Sequence, residues 1–269
     1  MTGGKASALV LAGKRDGTLD PLAAEANVSH KCLVPVAGQT MILYPVAALA
    51  QSDSVERIFI SIDDPSVLDG IPELDALRKE ERLEVVEARH NLVDSVFAAA
   101  HAIGSFPIFI STADNVLLTP EAVADFHNSA LGERADAAVA FARREAVLAA
   151  HPDGQRKFYK FSGGEYSNCN LYWLGNRKAL SAAEVFRSGG QFAKHPKRIL
   201  GAFGLVNLLL FRFGIGTLEA AFRRFSRRLQ LSVKPVVLSQ GQAAIDVDNE
   251  RTKRVTEEIL ARLAQPSAA

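Results

Sequence analysis

Apolar positions in the first half of the chain fall into short unbroken runs separated by longer stretches with one apolar face. The runs "ALVLA" (8–12), "RIFISI" (57–62), "LEVVEA" (83–88), "PIFIST" (107–112) and "ADAAVAFA" (135–142) predict strands buried on both faces. Between them, 41–52, 74–81, 92–103 and 120–130 carry helical spacing, and the last opens on Pro120. Strand–helix alternation with short connections predicts right-handed crossovers and a mostly parallel sheet. The second half is less regular. "KFYKF" (157–161) and "NLYWL" (170–174) predict strands around a turn at Gly163-Gly164. Two helical segments follow, one of them 216–229, then a strand at 233–238 and an amphipathic helix over 249–265.

Composition narrows the class. The chain has 269 residues, 48% hydrophobic and 23% charged, which suffices for a large core. A net charge of +1 gives no support to nucleic-acid binding. The two cysteines, Cys32 and Cys169, make neither a metal spacing nor a disulfide framework. The N-terminus lacks a secretory core, and no stretch reaches the roughly 20 apolar residues of a membrane span. The expectation is a cytoplasmic protein.

Candidate chemistry gathers where such sheets bind ligands, beyond the carboxyl ends of the strands. Gly13 permits a tight bend after the first strand, where backbone N–H groups can hold phosphate oxygens and Arg15 offers a guanidinium fork. The loop is neither a Walker A sequence nor the dinucleotide fingerprint. Lys31 can neutralise a polyphosphate, or be a solvated loop lysine. Asp114 follows a buried strand, well placed for Mg²⁺; the alternative is a turn or capping role, shared by Asn115 and Thr119. Asp246 and Asp248 alternate along a segment that reads as extended, so both face one side, although Asp248 can also serve as the cap of the last helix.

Together, "LVLAGKRDG", "HKCLVPVAGQTMI", "STADNVLLTPEAV" and "AIDVDNERTKRVTEEIL" resemble the nucleotidyltransferase superfamily with a GT-A-like fold, which includes molybdenum cofactor guanylyltransferases and methylerythritol phosphate cytidylyltransferases. Lys14 separates Gly13 from Arg15, His30 stands where a proline is usual, and "GQT" replaces Gly-x-Pro, as in a divergent branch. The resemblance implies an α/β, three-layer, doubly wound, mostly parallel (mixed) sheet of Rossmann-like type. It implies one NTP-transferase domain over 1–269, with about 8–142 binding nucleotide and about 143–269 binding acceptor and closing the fold. It assigns Leu11, Ala12, Gly13, Lys14, Arg15, Asp16, Gly17 and Lys31 to the triphosphate, with Arg15, Lys31 and Asp114 catalytic. Asn91 and Ser95 are nucleobase candidates, with helix capping as the alternative. Asp114 and Asp248, with Asp246 in reserve, would hold Mg²⁺. Asn168, Asn170, Lys194 and Lys197, with Arg198 beside them, are candidates for the acceptor.

The implied reaction moves an NMP group from an NTP, CTP or GTP favoured, to a small phosphorylated acceptor and releases pyrophosphate. The other readings are a GT-A-like glycosyltransferase using a nucleotide sugar, and a non-catalytic nucleotide-binding protein. Residues 199–229 pair an apolar stretch with arginines. They read as a core helix, a dimer contact, or a surface lying on the inner face of the membrane or meeting a lipid-like acceptor.

Overall fold

The computed structural model describes residues 4–14, 19–183 and 212–265, together with Asn207 and Leu210. Arg15, Asp16, Gly17, Lys194, Lys197, Arg198 and most of 199–211 lie outside the described residues.

The first-half runs form β1 (Ala6–Leu11), β4 (Val55–Ile62), β5 (Leu83–Glu87), β6 (Ile108–Thr112) and β7 (Ala137–Arg143). β2 (Pro35–Val36) and β3 (Gln39–Thr40) make a separate two-stranded hairpin. In the second half lie β8 (Tyr159–Phe161), β9 (Gly164–Leu174) and β10 (Val233–Leu238). The eight-stranded sheet runs β10-β7-β9-β6-β1-β4-β5, with β8 paired to β9. β1 pairs in parallel with both β4 and β6, β4 with β5, and β10 with β7. Among the described strands only β9 breaks the direction, entering antiparallel between β6 and β7.

Helices cover both faces, giving three layers. On one face, α2 (Leu43–Gln51), α3 (Pro72–Lys79), α5 (Pro120–Gly132) and the closing α9 (Glu250–Ala264) bury Leu49, Leu74, Phe126 and Ile259 against Ala8 and Val10. On the other, α4 (Leu92–Ile103), α7 (Leu180–Ala183) and α8 (Leu218–Leu229) join Leu9 and Phe59 through Val96, Ala99, Leu180 and Leu229. Alternate residues of β1 therefore feed opposite cores, which is why the strand reads as an unbroken apolar run. None of the described helices is long and apolar enough to cross a membrane.

Three details differ from the sequence pattern. β9 starts at Gly164 rather than near residue 170, because Ser167, Asn168 and Asn170 hide the strand's first half behind polar side chains. Helix α6 (Arg144–Ala150) follows β7 directly, with no capping side chain to announce it. The segment before α9 is not a straight extension, since Asp248 N–H turns back to the Asp246 carbonyl at 3.1 Å.

A small satellite core seats the polar stretch between β1 and α2. Leu22 and Ala23 of α1 (Pro21–Glu25) pack with Val34, Val36 and Met41 against Val116 and Val247. This contact places Lys31 beside the loops that follow β6 and β10.

Candidate nucleotide and metal site

The site is built at the carboxyl edge of β1, β4 and β6. Ala12 N–H donates to Ser61 O at 2.9 Å, and Leu11 O accepts from Ala113 N–H at 3.0 Å, so three strand ends leave the sheet together. Gly13 then passes so close to the end of β5 that a Cβ there would sit 3.3 Å from that of Ala88, and the neighbour would have to give way. Lys14 N–H donates to Asp63 Oδ1 at 2.9 Å. The other carboxylate oxygen of Asp63 faces His30 Nε2 at 3.3 Å, and His30 Nδ1 meets Ser29 Oγ at 2.9 Å. His30 is 2% exposed. Partial burial pushes the Asp63 carboxyl up, but the Lys14 N–H, its own backbone and His30 outweigh it and hold it below the usual range.

Lys31 heads a single 3₁₀ turn, Lys31–Leu33. Its Nζ lies 2.5 Å from Asp114 Oδ2 and 3.1 Å from Asp248 Oδ1. One ammonium therefore touches carboxylates that are 134 positions apart in number, from 114 to 248. Burial works to lower the Lys31 pKa, yet the two carboxylates prevail and raise it, so the side chain is charged. Backbone laces the acidic loops as well, through Val247 N–H to Asp114 O at 3.1 Å.

The sequence leaves Asp248 open as the cap of α9, and the geometry decides against it. Asn249 is the cap, its side chain accepting from Thr252 N–H while Thr252 Oγ1 takes the Asn249 N–H, a complete capping box. The carboxylate of Asp248 is thus left to Lys31. Asp246 is buried at 5% exposure. Asn170 Nδ2 donates to its Oδ2 at 2.7 Å. Burial first, then the charges of Asp114 and Asp248, push the Asp246 carboxyl well above the ordinary range; Asn170 and Lys31 oppose this.

Asn170 reaches Asp246 because β9 bulges. Val139 faces Tyr172 while Phe141 faces Asn168, so β9 spends two extra residues there, and Asn170 among them takes φ +46°. Asn168 Nδ2 donates to Tyr172 OH at 2.6 Å, and that hydroxyl donates to Asn170 Oδ1 at 3.2 Å. The amides named for the acceptor are thus bonded to one another and, through Asn170, to an acidic residue of the cluster. Burial pushes the Tyr172 hydroxyl upward. Cys169, in the same strand, is fully buried.

Asn115 donates to Cys169 O at 2.9 Å, and Thr119 caps α5. Asn91 caps α4 and also donates to Asp94 Oδ2 at 2.6 Å. Ser95 Oγ accepts Arg89 N–H at 2.8 Å and is buried, so both base-side candidates bond within the α4 turn.

Two oxygens of the acidic cluster, Asp114 Oδ1 and Asp246 Oδ1, are buried without a hydrogen-bond partner among the described residues. An orphaned carboxylate oxygen is costly in a dry site, and hard oxygen donors of this kind suit Mg²⁺. Among the described residues no three or more His, Cys, Asp or Glu side chains form a metal cage. The donor set therefore fits an ion held by one or two carboxylates that completes its shell with water and phosphate, as Mg²⁺ does.

No spacing in the sequence marks His30, Asp63 or the bond from Asn170 to Asp246. The one signal was the histidine in place of a usual proline.

Residues 8–197 match the MobA-like NTP transferase domain. Comparison with curated proteins gives no match. Among solved structures, a hypothetical transferase from Thermus thermophilus is 22% identical, with a TM-score of 0.74, covering 93% of this chain and 99% of its own. CMP:2-keto-3-deoxy-manno-octonic acid synthetase complexed with CTP is 13% identical at TM-score 0.55, covering 96% and 100%. 4-Diphosphocytidyl-2C-methyl-D-erythritol synthase from Anaerococcus prevotii is 12% identical at 0.58, covering 96% and 97%. At these identities the structures attest the shared Rossmann-like fold, while the family match extends over most of the chain. The chain belongs to the MobA-like NTP transferase domain family and is a nucleotidyltransferase.

Proposed function

We propose that the protein is a Mg²⁺-dependent nucleotidyltransferase that transfers an NMP group from an NTP to a small phosphorylated acceptor. The observation that carries the reading is the meeting of Lys31 with Asp114 and Asp248 on one ammonium. It brings a cation from the N-terminal segment and two acidic loops to one point at the ligand-binding edge of the sheet.

In this reading the backbone of Leu11–Gly17, with Lys14 and Arg15, wraps the triphosphate, and Lys31 offsets its charge. Asp114 and Asp248 hold Mg²⁺, supported by Asp246. The bound ion supplies charge neutralisation at the phosphates. Asn170 keeps Asp246 turned into the site. An acceptor phosphate oxygen attacks the α-phosphorus, the bond from that phosphorus to the bridging oxygen breaks, and pyrophosphate leaves with the electron pair. Positioning and charge stabilisation are the main requirements, so the chain needs no dedicated nucleophile. CTP is favoured by the solved relative complexed with it, and GTP by the guanylyltransferase resemblance. Lys194 and Lys197 are kept for the acceptor phosphate, and residues 1–269 work as one domain.

A lipid-related acceptor is supported by one further observation. Phe213 and Ile215 are 69% and 53% exposed, close in sequence to exposed Arg212, Arg223 and Arg227. Apolar tips with arginines suit an anionic bilayer surface. Co-sedimentation with vesicles rich in anionic phospholipid, lost in zwitterionic vesicles and at high salt, is the expected result.

The assay is pyrophosphate release with Mg²⁺, each of the four NTPs, and a panel of phosphorylated alcohols and sugars. Turnover with CTP or GTP and a phosphorylated acceptor is expected. Release of a free nucleoside diphosphate from a nucleotide sugar instead would move the protein to the glycosyltransferases.

A further inference from the structure

His30 has an unusual position for a histidine. It is 2% exposed, and both ring nitrogens have polar partners, Ser29 Oγ at 2.9 Å and Asp63 Oδ2 at 3.3 Å. Asp63 sits just beyond β4, the strand beside β1. Its second oxygen accepts the Lys14 N–H at 2.9 Å, and the Cβ position of Gly13 lies 3.7 Å from that same oxygen. One carboxylate thus joins the start of the glycine loop to the segment that carries Lys31. One oxygen ties down the start of the glycine loop, and the other meets the residue immediately before Lys31.

We propose that His30 and Asp63 form a positioning pair that fixes the glycine loop relative to the Lys31 ammonium, so that both meet the same polyphosphate. The inference rests on the nucleotide reading above, and adds two residues that touch neither nucleotide nor metal. Its physical content is preorganisation. Backbone N–H groups can cradle phosphate only if their loop is already held in place, and a loop that must be ordered on binding loses affinity. A buried imidazole without its partner would itself be costly, so the pair is coupled in both directions. The net effect falls on NTP binding, because the loop and Lys31 are its shared ligands. The acceptor side, built from other parts of the chain, is spared.

Two measurements test the pair. The first, without nucleotide, is amide hydrogen exchange at Lys14 in the wild type, His30→Ala and His30→Gln. Glutamine keeps a side-chain N–H donor near the place of Nε2. Faster exchange in His30→Ala, restored in His30→Gln, is expected. The second is steady-state kinetics with varied NTP and varied acceptor. In His30→Ala the NTP KM rises about tenfold, the scale of one lost hydrogen bond. The kcat stays within about threefold and the acceptor KM is unmoved. The double variant His30→Ala/Asp63→Ala is no worse than the worse single one, the signature of coupled residues.

Unchanged Lys14 exchange in His30→Ala overturns the proposal, as does an equal rise of both KM values. Should His30→Ala not fold, Asp63→Asn, whose side chain is 40% exposed, carries the loss readouts in its place, and His30→Gln remains the variant that keeps the wild-type values. A wild type that turns over no NTP would defeat the function reading alone, and the exchange measurement would still decide the pair.

Discussion

Asp114 and Asp248 share one ammonium and the Asp246 carboxyl feels both of their charges, so acidic groups outnumber basic ones where the loops after β6 and β10 meet. Such a cluster favours ligand binding over stability. Asp114→Asn therefore should lower kcat/KM by about a thousandfold or more, while the melting temperature holds or rises. Turnover equal to wild type would remove Asp114 from the site. Asp246 makes the same point through pH. A carboxyl whose native pKa is raised binds its proton more tightly folded than unfolded. Its stabilising effect is complete below the unfolded value of 3.8 and is lost as pH rises through the elevated native value. Asp246→Asn removes that slope. Melting curves begun at about pH 4 should show the variant gaining on wild type as pH climbs, then a constant difference. A difference that is flat throughout would mean Asp246 titrates normally.

At the scale of elements, the acidic loops are held by neighbours that a sequence reading cannot rank. Two adjacent residues, Asp248 and Asn249, are both good caps, and only Thr252, three positions past the asparagine, completes the box that selects Asn249. Asn249→Ala is expected to cost about 1 kcal/mol in denaturant unfolding. The turn Gly241–Ala244, just ahead of Asp246, packs directly on α6. A Cβ on Gly241 would overlap the backbone of Ala146 and Val147. Gly241→Ala should destabilise by about 1–3 kcal/mol, with a matching loss of activity as the loop carrying Asp246 shifts. An unchanged midpoint would show that α6 yields freely. Helix α6 itself escaped the sequence because Arg143 starts it without a side-chain cap. The first half of β9 escaped because Asn168 and Asn170 break its apolar run to bond Tyr172 and Asp246.

Across the whole molecule, the parallel frame was legible because its strands are buried on both faces, so each appears as an apolar run bounded by polar turns. Asp114 stood out because it follows such a strand at the ligand-binding edge, whereas Lys31 and Asp248 were singled out by the resemblance of their segments to the nucleotidyltransferases. The His30–Asp63 pair was not, since its members lie 33 positions apart and obey no period. The assembled site also makes a prediction about its two ligands. The Lys31 ammonium is paired with both Asp114 and Asp248. Mg²⁺ alone must displace an ammonium that then has no partner, and a triphosphate alone must approach carboxylates. Under the proposed function the ion would take the carboxylates and the ammonium would turn to phosphate, so each ligand should strengthen the other by about 1–3 kcal/mol. In thermal melts, Mg²⁺ or NTP alone should shift the midpoint little, whereas both at about a hundred times Kd should stabilise by ~2.7 kcal/mol. Lys31→Met separates the contributions: Mg²⁺ alone should then stabilise more than in wild type, and NTP with Mg²⁺ less. Equal responses to Mg²⁺ alone in the two proteins would show that the ammonium does not hold these carboxylates against the ion.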